Sequence, residues 1–173
     1  MTVFLGLDIG RSSTKLVALD NGGKVVFVAA PEYSFRTPRP LWAESDPEDW
    51  WIATRTALKA LLEKVPAASI AGIGLTGQMH GLVLLDGAGS VLRPCIMWND
   101  QRTASQCDLI TQRIGRERVL QLTGSPVLSG FTAPKILWVQ ENEPEIWART
   151  EHILLPKDYI RYRLSGEFAT EVS

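Results

Sequence analysis

Three short stretches carry side chains that could act on a small polar molecule. In the run Leu75-Thr76-Gly77-Gln78-Met79-His80-Gly81, a tautomerisable imidazole closes an apolar, strand-like segment from Ile70 to Leu75. Strand ends are where open α/β sheets hold ligands. A neutral His80 can donate from one ring nitrogen and accept at the other, which suits a ligand hydroxyl or a structural hydrogen bond equally well. Gln78 and Met79 join it as candidate ligand contacts, and the glycines at 72, 74, 77 and 81 permit tight turns and close approach of a bound molecule. The second stretch, Asp8-Ile9-Gly10-Arg11-Ser12-Ser13-Thr14-Lys15, sets an acid before a turn of glycine, hydroxyls and a cation. Backbone N–H groups around Gly10, Ser12 and Ser13 can face phosphate oxygens, and Asp8 can position a hydrated Mg²⁺. The same residues also make ordinary turns. The third stretch is Trp98-Asn99-Asp100-Gln101-Arg102, between a strand and a helix. Trp98 and Asp100 offer an apolar face and a carboxylate to a ligand. Their structural alternatives are core packing for Trp98, a helix-N-terminal acid for Asp100, and a solvated neighbour for Arg102. Trp42, in Arg39-Pro40-Leu41-Trp42-Ala43-Glu44, has the same two readings as Trp98.

The elements that must position these residues are legible from pattern. Val3 to Leu7, Lys15 to Leu19 and Lys24 to Tyr33 read as strands, with Asp20-Asn21-Gly22-Gly23 as a hairpin turn between the second and third. Ser34 to Glu44 carries Pro38 and Pro40 and reads as an irregular crossing loop. Asp46 is placed to cap a helix with Pro47 at its first position. Trp50, Thr54, Ala57, Leu58, Leu61 and Val65 recur on one face, and Pro66 ends the run. The Ile70 strand then enters by a helical crossover and is expected parallel to its neighbour. A second hairpin, Leu82 to Leu85 and Val91 to Trp98, is expected around Asp86-Gly87-Ala88-Gly89. Helical patterns follow over Thr103 to Ile114, Arg116 to Leu122, Ala133 to Asn142 and Pro156 to Leu164, with a short strand at Ile153 to Leu155. Pro134 reads as a helix-start device and Lys135 as a surface residue. Three leading antiparallel strands followed by helix crossovers form the mixed sheet of an α/β, actin-like or ribonuclease-H-like core. No linker or repeat marks a domain boundary inside the chain.

The 173 residues are 45% apolar, include six tryptophans and carry a net charge of −1, which suits a chain with a real core and gives no polycation for nucleic acid. Cys95 and Cys107 lack any paired His/Cys spacing, so they read as two reduced thiols and not as a zinc site or a disulfide framework. Asp8 interrupts the apolar start and no basic segment precedes it, which argues against a signal peptide, and no apolar run is long enough for a membrane span. A cytoplasmic location and no membrane partner are expected.

The Asp8, Met79-His80 and Trp98 segments, together with Phe131-Thr132-Ala133-Pro134-Lys135 and Leu155-Pro156-Lys157-Asp158-Tyr159, closely resemble the FGGY family of sugar kinases from about Val3 to Ser173. The resemblance implies a fold and an activity: ATP-dependent phosphoryl transfer, with Mg²⁺, to a sugar hydroxyl. The Met79-His80 pair favours the ketopentose D-xylulose, giving D-xylulose 5-phosphate. Gln78, Met79, His80, Trp98 and Asp100 would then serve the sugar, Gly10, Ser12 and Ser13 the nucleotide, and Asp8 the metal through water. Relatives often have a small threonine where this chain has Arg11, so the guanidinium either joins the phosphate contacts or marks a less conventional loop. Residues 1–173 correspond to the N-terminal part of the sugar-binding domain. The family's catalytic aspartate and its ATP-binding C-terminal domain are expected after Glu171-Val172-Ser173, so no catalytic base is named here and the chain alone is expected to be inactive. Kinases for glycerol, gluconate or ribulose, a non-catalytic sugar-binding remnant, a ribonuclease-H-like nuclease and an actin-like ATPase are the competing readings. A homodimer of the full-length protein stays open.

Overall fold

The computed structural model describes residues 2–170, so Glu171-Val172-Ser173, where the sequence reading placed the break in the family pattern, lies outside the described residues. In chain order the strands are β1 (Val3–Ile9), β2 (Thr14–Asp20), β3 (Val25–Ala29), β4 (Glu44–Ser45), β5 (Ile70–Gly77), β6 (Val83–Leu85), β7 (Cys95–Ile96) and β8 (His152–Leu154). The helices are α1 (Pro47–Leu62), α2 (Ala104–Ile114), α3 (Arg116–Thr123), α4 (Thr132–Asn142), α5 (Pro144–Arg149) and α6 (Pro156–Ser165), with a 3₁₀ turn at Ala67–Ser69. No linker interrupts the chain, yet the described residues divide into two compact units. One contains residues 2–35, 46–79 and 155–170, and the other residues 36–45 and 80–154. The chain passes between them four times, so no single shift in composition announces the division.

The first unit holds a four-stranded sheet in the order β3-β2-β1-β5, with β1 antiparallel to β2 and parallel to β5, as the hairpin and crossover signals require. Alternation along β1 buries Val3, Leu5, Leu7 and Ile9 on one face. Val3, Leu5 and Leu7 pack with Leu16 and Ala18 of β2 against Ala57, Leu61 and Val65, the last three supplied by α1 and its C-terminal turn. The helix starts as expected: Asp46 accepts a hydrogen bond from the Glu48 amide at 3.0 Å, and Pro47 occupies a position whose N–H would be unpaired anyway. The β2–β3 turn is built by the Asp20 carboxylate, which accepts from the amides of Gly22 and Lys24, and by Gly23 at φ +81. The third strand is shorter than Lys24 to Tyr33. Its ladder stops before Pro31, which has no N–H, and the chain continues beside the first turn through Thr14 N–H to Pro31 C=O and Tyr33 N–H to Ser12 C=O.

The second unit departs further from the sequence reading. The Asp86 turn forms, its carboxylate accepting from Ala88 and Ser90 amides, but the expected hairpin does not extend into two long strands. The two arms meet at antiparallel bridges between Leu85 and Val91 and between Leu82 and Ile96, on either side of Pro94, while their longer ladders form with other strands: β6 pairs with β8 and β7 with β4, both antiparallel. β4 and α5 lie in stretches read as a loop or left unassigned. Leu82, Leu84, Ile96, Trp138 and Val139 form the core of this unit. Among the described residues, no helix is long and apolar enough to cross a membrane. Leu61 is fully buried beneath the sheet, so Leu61→Ala should lower the unfolding free energy by about 2–5 kcal/mol, and Asp46→Ala by about 1 kcal/mol. Urea denaturation checks both, and a loss well under 1 kcal/mol for Leu61→Ala would show that α1 is not the cover of this sheet.

Candidate functional site

In the first unit, Asp8 lies at the C-terminal end of β1 on the face opposite Leu7 and Ile9, and it is exposed. Register places Lys15 directly opposite it on β2 and Thr76 beside it on β5. Gly6, Asp8, Lys15, Val17, Gly74 and Thr76 line a depression of about 330 Å³ on this sheet face. Its floor is low because two of these positions have no side chain. The turn beyond β1 is tight, since a Cβ on Gly10 would stand 2.9 Å from the Ser13 carbonyl oxygen. Tyr33 O–H donates to the Gly10 carbonyl at 2.8 Å and Gln78 Nε2 donates to the same oxygen at 3.2 Å. Burial pushes the Tyr33 phenol up to about 12, so it remains a donor throughout the useful pH range. Arg11 lies over the Phe35 ring, 4.0 Å from its centroid, which gives that side chain a packing role in its own loop. Gly77 permits close approach of strands, because a Cβ there would meet Ile9 at 3.0 Å. Gln78 follows, with Oε1 buried and without a hydrogen-bond partner, and then Met79, 62% exposed.

A single exposed carboxylate at a strand end fits Mg²⁺ carried by a phosphate ligand, because Mg²⁺ keeps most of its water and needs only one or two protein carboxylates. Among the described residues, no group of three or more His, Cys, Asp or Glu side chains stands together as an all-protein metal cage.

In the second unit, His80 adopts φ +56, the left-handed region that costs a non-glycine residue about 1 kcal/mol or more. Its ring lies 4.3 Å from the Phe131 ring centroid. Burial, with the nearby Lys135 charge, holds its pKa below the ordinary 6.5, so at neutral pH the imidazole is uncharged and offers one donor and one acceptor. Trp98 is 42% exposed and so presents part of its indole to solvent.

Asp100 and Arg102 sit elsewhere than their residue types suggested. Asp100 is 0% exposed and precedes the first residue of α2 by four positions. One oxygen accepts from the Arg102 amide and Nε, each at 2.9 Å, and the other from the Ala43 amide at 2.6 Å and Arg102 Nη2 at 2.7 Å. Four donors fill the carboxylate, so Asp100 ties two loops together and has no lone pair left for a ligand. Arg102 is not a solvated neighbour. Its side chain is 1% exposed, pairs with Asp100 and Glu44, and lies over the rings of Trp42 and Trp138. Trp42 therefore packs against a cation and an edge-on indole inside its own unit.

Lys135, expected on the surface, is wholly buried. Its ammonium donates to the His80 carbonyl at 2.6 Å and the Gly130 carbonyl at 2.7 Å, and Thr132 Oγ1 adds a 3.3 Å bond to the same His80 oxygen. Gly130 is pressed against the neighbouring loop, where a Cβ would fall 2.3 Å from the Trp98 carbonyl oxygen. A lysine one position after a helix-start proline reads as solvent-facing by type. Only the placement of two inward carbonyls reveals why it is buried, and no local sequence signal marks it.

The matching family model is that of the FGGY family of carbohydrate kinases, N-terminal domain, over residues 3–173. The chain is 46% identical over 171 residues to a xylulose kinase from Escherichia coli (strain K12), covering 99% of this chain and 35% of that protein. A solved xylulose kinase structure from Rhodospirillum rubrum superposes with a TM-score of 0.92 at 32% identity, over 96% of this chain and 35% of that one. A gluconate kinase structure from Lactobacillus acidophilus superposes with a TM-score of 0.89 at 27% identity, over 96% and 34%. The chain belongs to the FGGY family of carbohydrate kinases and has the actin-like, ribonuclease-H-like α/β fold of that family's N-terminal domain. It spans about a third of the length of the relatives it matches.

Lys135 and Cys95 make stability depend on pH in opposite senses. Burial lowers the Lys135 pKa from 10.5 to about 8, with Cys95 and Asp100 opposing the shift and Arg102 adding to it. Between about pH 8 and 10.5 the unfolded chain therefore holds a proton that the folded chain has released, and stability rises with pH. Burial raises the Cys95 pKa from 9.0 to about 12, so the unfolded thiol ionises first and stability falls above pH 9. Lys135→Met removes the first effect and leaves the second. The unfolding free energy of the wild type minus that of Lys135→Met, from urea melts at about pH 7.5 and 10, should grow by about 2 kcal/mol at the higher pH. A constant difference would mean that the ammonium is not desolvated.

Proposed function

We propose that this chain is the N-terminal part of an ATP-dependent kinase that phosphorylates D-xylulose to D-xylulose 5-phosphate. The observation that carries the reading is a neutral imidazole, His80, held in a left-handed turn directly after Met79 in a chain 46% identical to a xylulose kinase. ATP with Mg²⁺, when bound, supplies the phosphoryl group and neutralises the charge on its oxygens.

Each candidate residue has a task it can perform with the geometry it has. His80 hydrogen-bonds a ketose hydroxyl, donating or accepting according to its tautomer. The exposed Met79 gives apolar contact to the carbon skeleton, and Trp98 offers its indole face to C–H groups of the sugar. Gln78 keeps its Nε2 on the Gly10 carbonyl and so steadies the chain that leads into Met79. Asp8 orients the hydrated metal at its strand end, and the turn, closed by the Gly10 N–H donating to the Ser13 carbonyl at 3.0 Å, brings the Ser12 and Ser13 N–H groups to phosphate oxygens. Asp100 acts indirectly, holding the segment that follows Trp98 to the Ala43 loop. No residue of this chain is assigned as the proton acceptor for the reacting hydroxyl.

Replacing His80 by alanine leaves a sugar hydroxyl unpaired, at about 1–3 kcal/mol. In the complete gene product, His80→Ala should raise the KM for D-xylulose roughly ten-fold or more. Asp8→Ala should instead lower kcat at saturating ATP and Mg²⁺, because the charge it helps to manage develops in the transition state. Steady-state kinetics across D-xylulose, ribulose, gluconate and glycerol check the substrate. A preference for any of the last three would overturn the assignment to D-xylulose, and an unchanged KM in His80→Ala would remove His80 from the sugar site.

A further inference from the structure

A non-glycine residue persists at positive φ only where its surroundings over-determine the conformation. At His80 those surroundings are two donors on its carbonyl, Lys135 Nζ and Thr132 Oγ1, and the Phe131 ring against its imidazole, all three supplied by α4 and its N-cap. The same ammonium takes the Gly130 carbonyl, and Gly130 is the residue that lies against the Trp98 backbone. Lys135 thus holds the turn that carries the imidazole and the loop that abuts the exposed indole. Burying an ammonium is costly, and a methionine would fill the same space without that cost. What the ammonium provides that methionine lacks is a donor to each of two inward carbonyls.

We infer that Lys135 is a positioning residue for sugar binding, fixing the His80 imidazole without itself touching the ligand. This rests on the reading of His80 as a sugar contact. Lys135 grips main-chain oxygens, so its effect reaches the ligand through the imidazole it orients and should disappear when that imidazole is gone.

The test is a double-mutant cycle on the complete gene product, with KM for D-xylulose and kcat measured for wild type, His80→Ala, Lys135→Met and the double variant. The expected result is a KM about ten-fold higher in each single variant, kcat within about three-fold of wild type for Lys135→Met, and a double variant within about two-fold of His80→Ala. A lysine that merely stabilised the fold would lower the active fraction and kcat, leaving KM in place. If Lys135→Met does not fold, Thr132→Val removes the other side-chain donor to the His80 carbonyl. It should raise KM about two- to three-fold and have no effect in the His80→Ala background. A KM raised in His80→Ala but unchanged in Lys135→Met or, where that variant is unfolded, in Thr132→Val overturns the inference alone. So does a multiplicative double variant. An unchanged KM in His80→Ala overturns the underlying reading and the inference with it.

Discussion

The second unit is organised by the need to leave no buried charge unpaired. Asp100 is sealed from water and accepts four hydrogen bonds, two of them to its own oxygens from the Arg102 guanidinium. That guanidinium also meets Glu44 at 2.9 Å, and Glu44 in turn meets Arg93, which reaches Glu143 at 2.6 Å. Removing one member of such a set typically costs 3–5 kcal/mol, because the others remain buried without a counter-charge. Regular sheet supplies little of this cohesion: β4 and β7 are two residues each, and β6 and β8 three. Side-chain charge therefore does the fastening that a longer ladder of backbone hydrogen bonds would do elsewhere. Arg102 Nη1 has no hydrogen-bond partner, and the indole faces of Trp42 and Trp138 beside the guanidinium give it a π environment in place of an oxygen.

The first unit solves a different problem, that of bringing polar groups to strand ends. Its sheet has one face covered by α1, and on the opposite face Gly6 and Gly74 keep the surface low around Asp8. Close packing of β5 on β1 at Gly77 sets the path of the next residue, whose amide donates to the Ile9 carbonyl at 2.8 Å and whose side-chain amide reaches Gly10. One polar residue thus fastens the end of one strand to the turn after another.

Legibility from sequence followed the range of the interactions involved. The hairpin turn at Asp20 was readable because its aspartate bonds amides two and four residues on, and the start of α1 because Asp46 and Pro47 act locally. The pairing of β4 with β7 and the burial of Lys135 were not readable. β4 meets a strand about fifty residues away, and Lys135 meets His80 across 55 positions. Arg102 failed for a related reason: its contacts with Asp100 are local, but the indoles and Glu44 that make it a buried residue come from distant segments. Residue type predicts solvation well when partners are near in sequence, and poorly when a distant carbonyl or carboxylate recruits a cation inward.

That distinction separates what a site of this kind can vary from what it must keep. The ammonium of Lys135 holds main-chain oxygens, which every residue at positions 80 and 130 would possess. Position 130 is nonetheless confined to glycine by the Trp98 carbonyl, and position 80 must tolerate positive φ. The frame therefore constrains backbone conformation at both places, and at 80 the Phe131 ring packs against the side chain as well. In the proposed reading, the side-chain chemistry that meets a hydroxyl is thereby separate from the cation and the turn it fastens. Specificity and scaffold are carried by different atoms of the same residue: the imidazole of His80 faces the ligand in the proposed reading, and its carbonyl answers to the core.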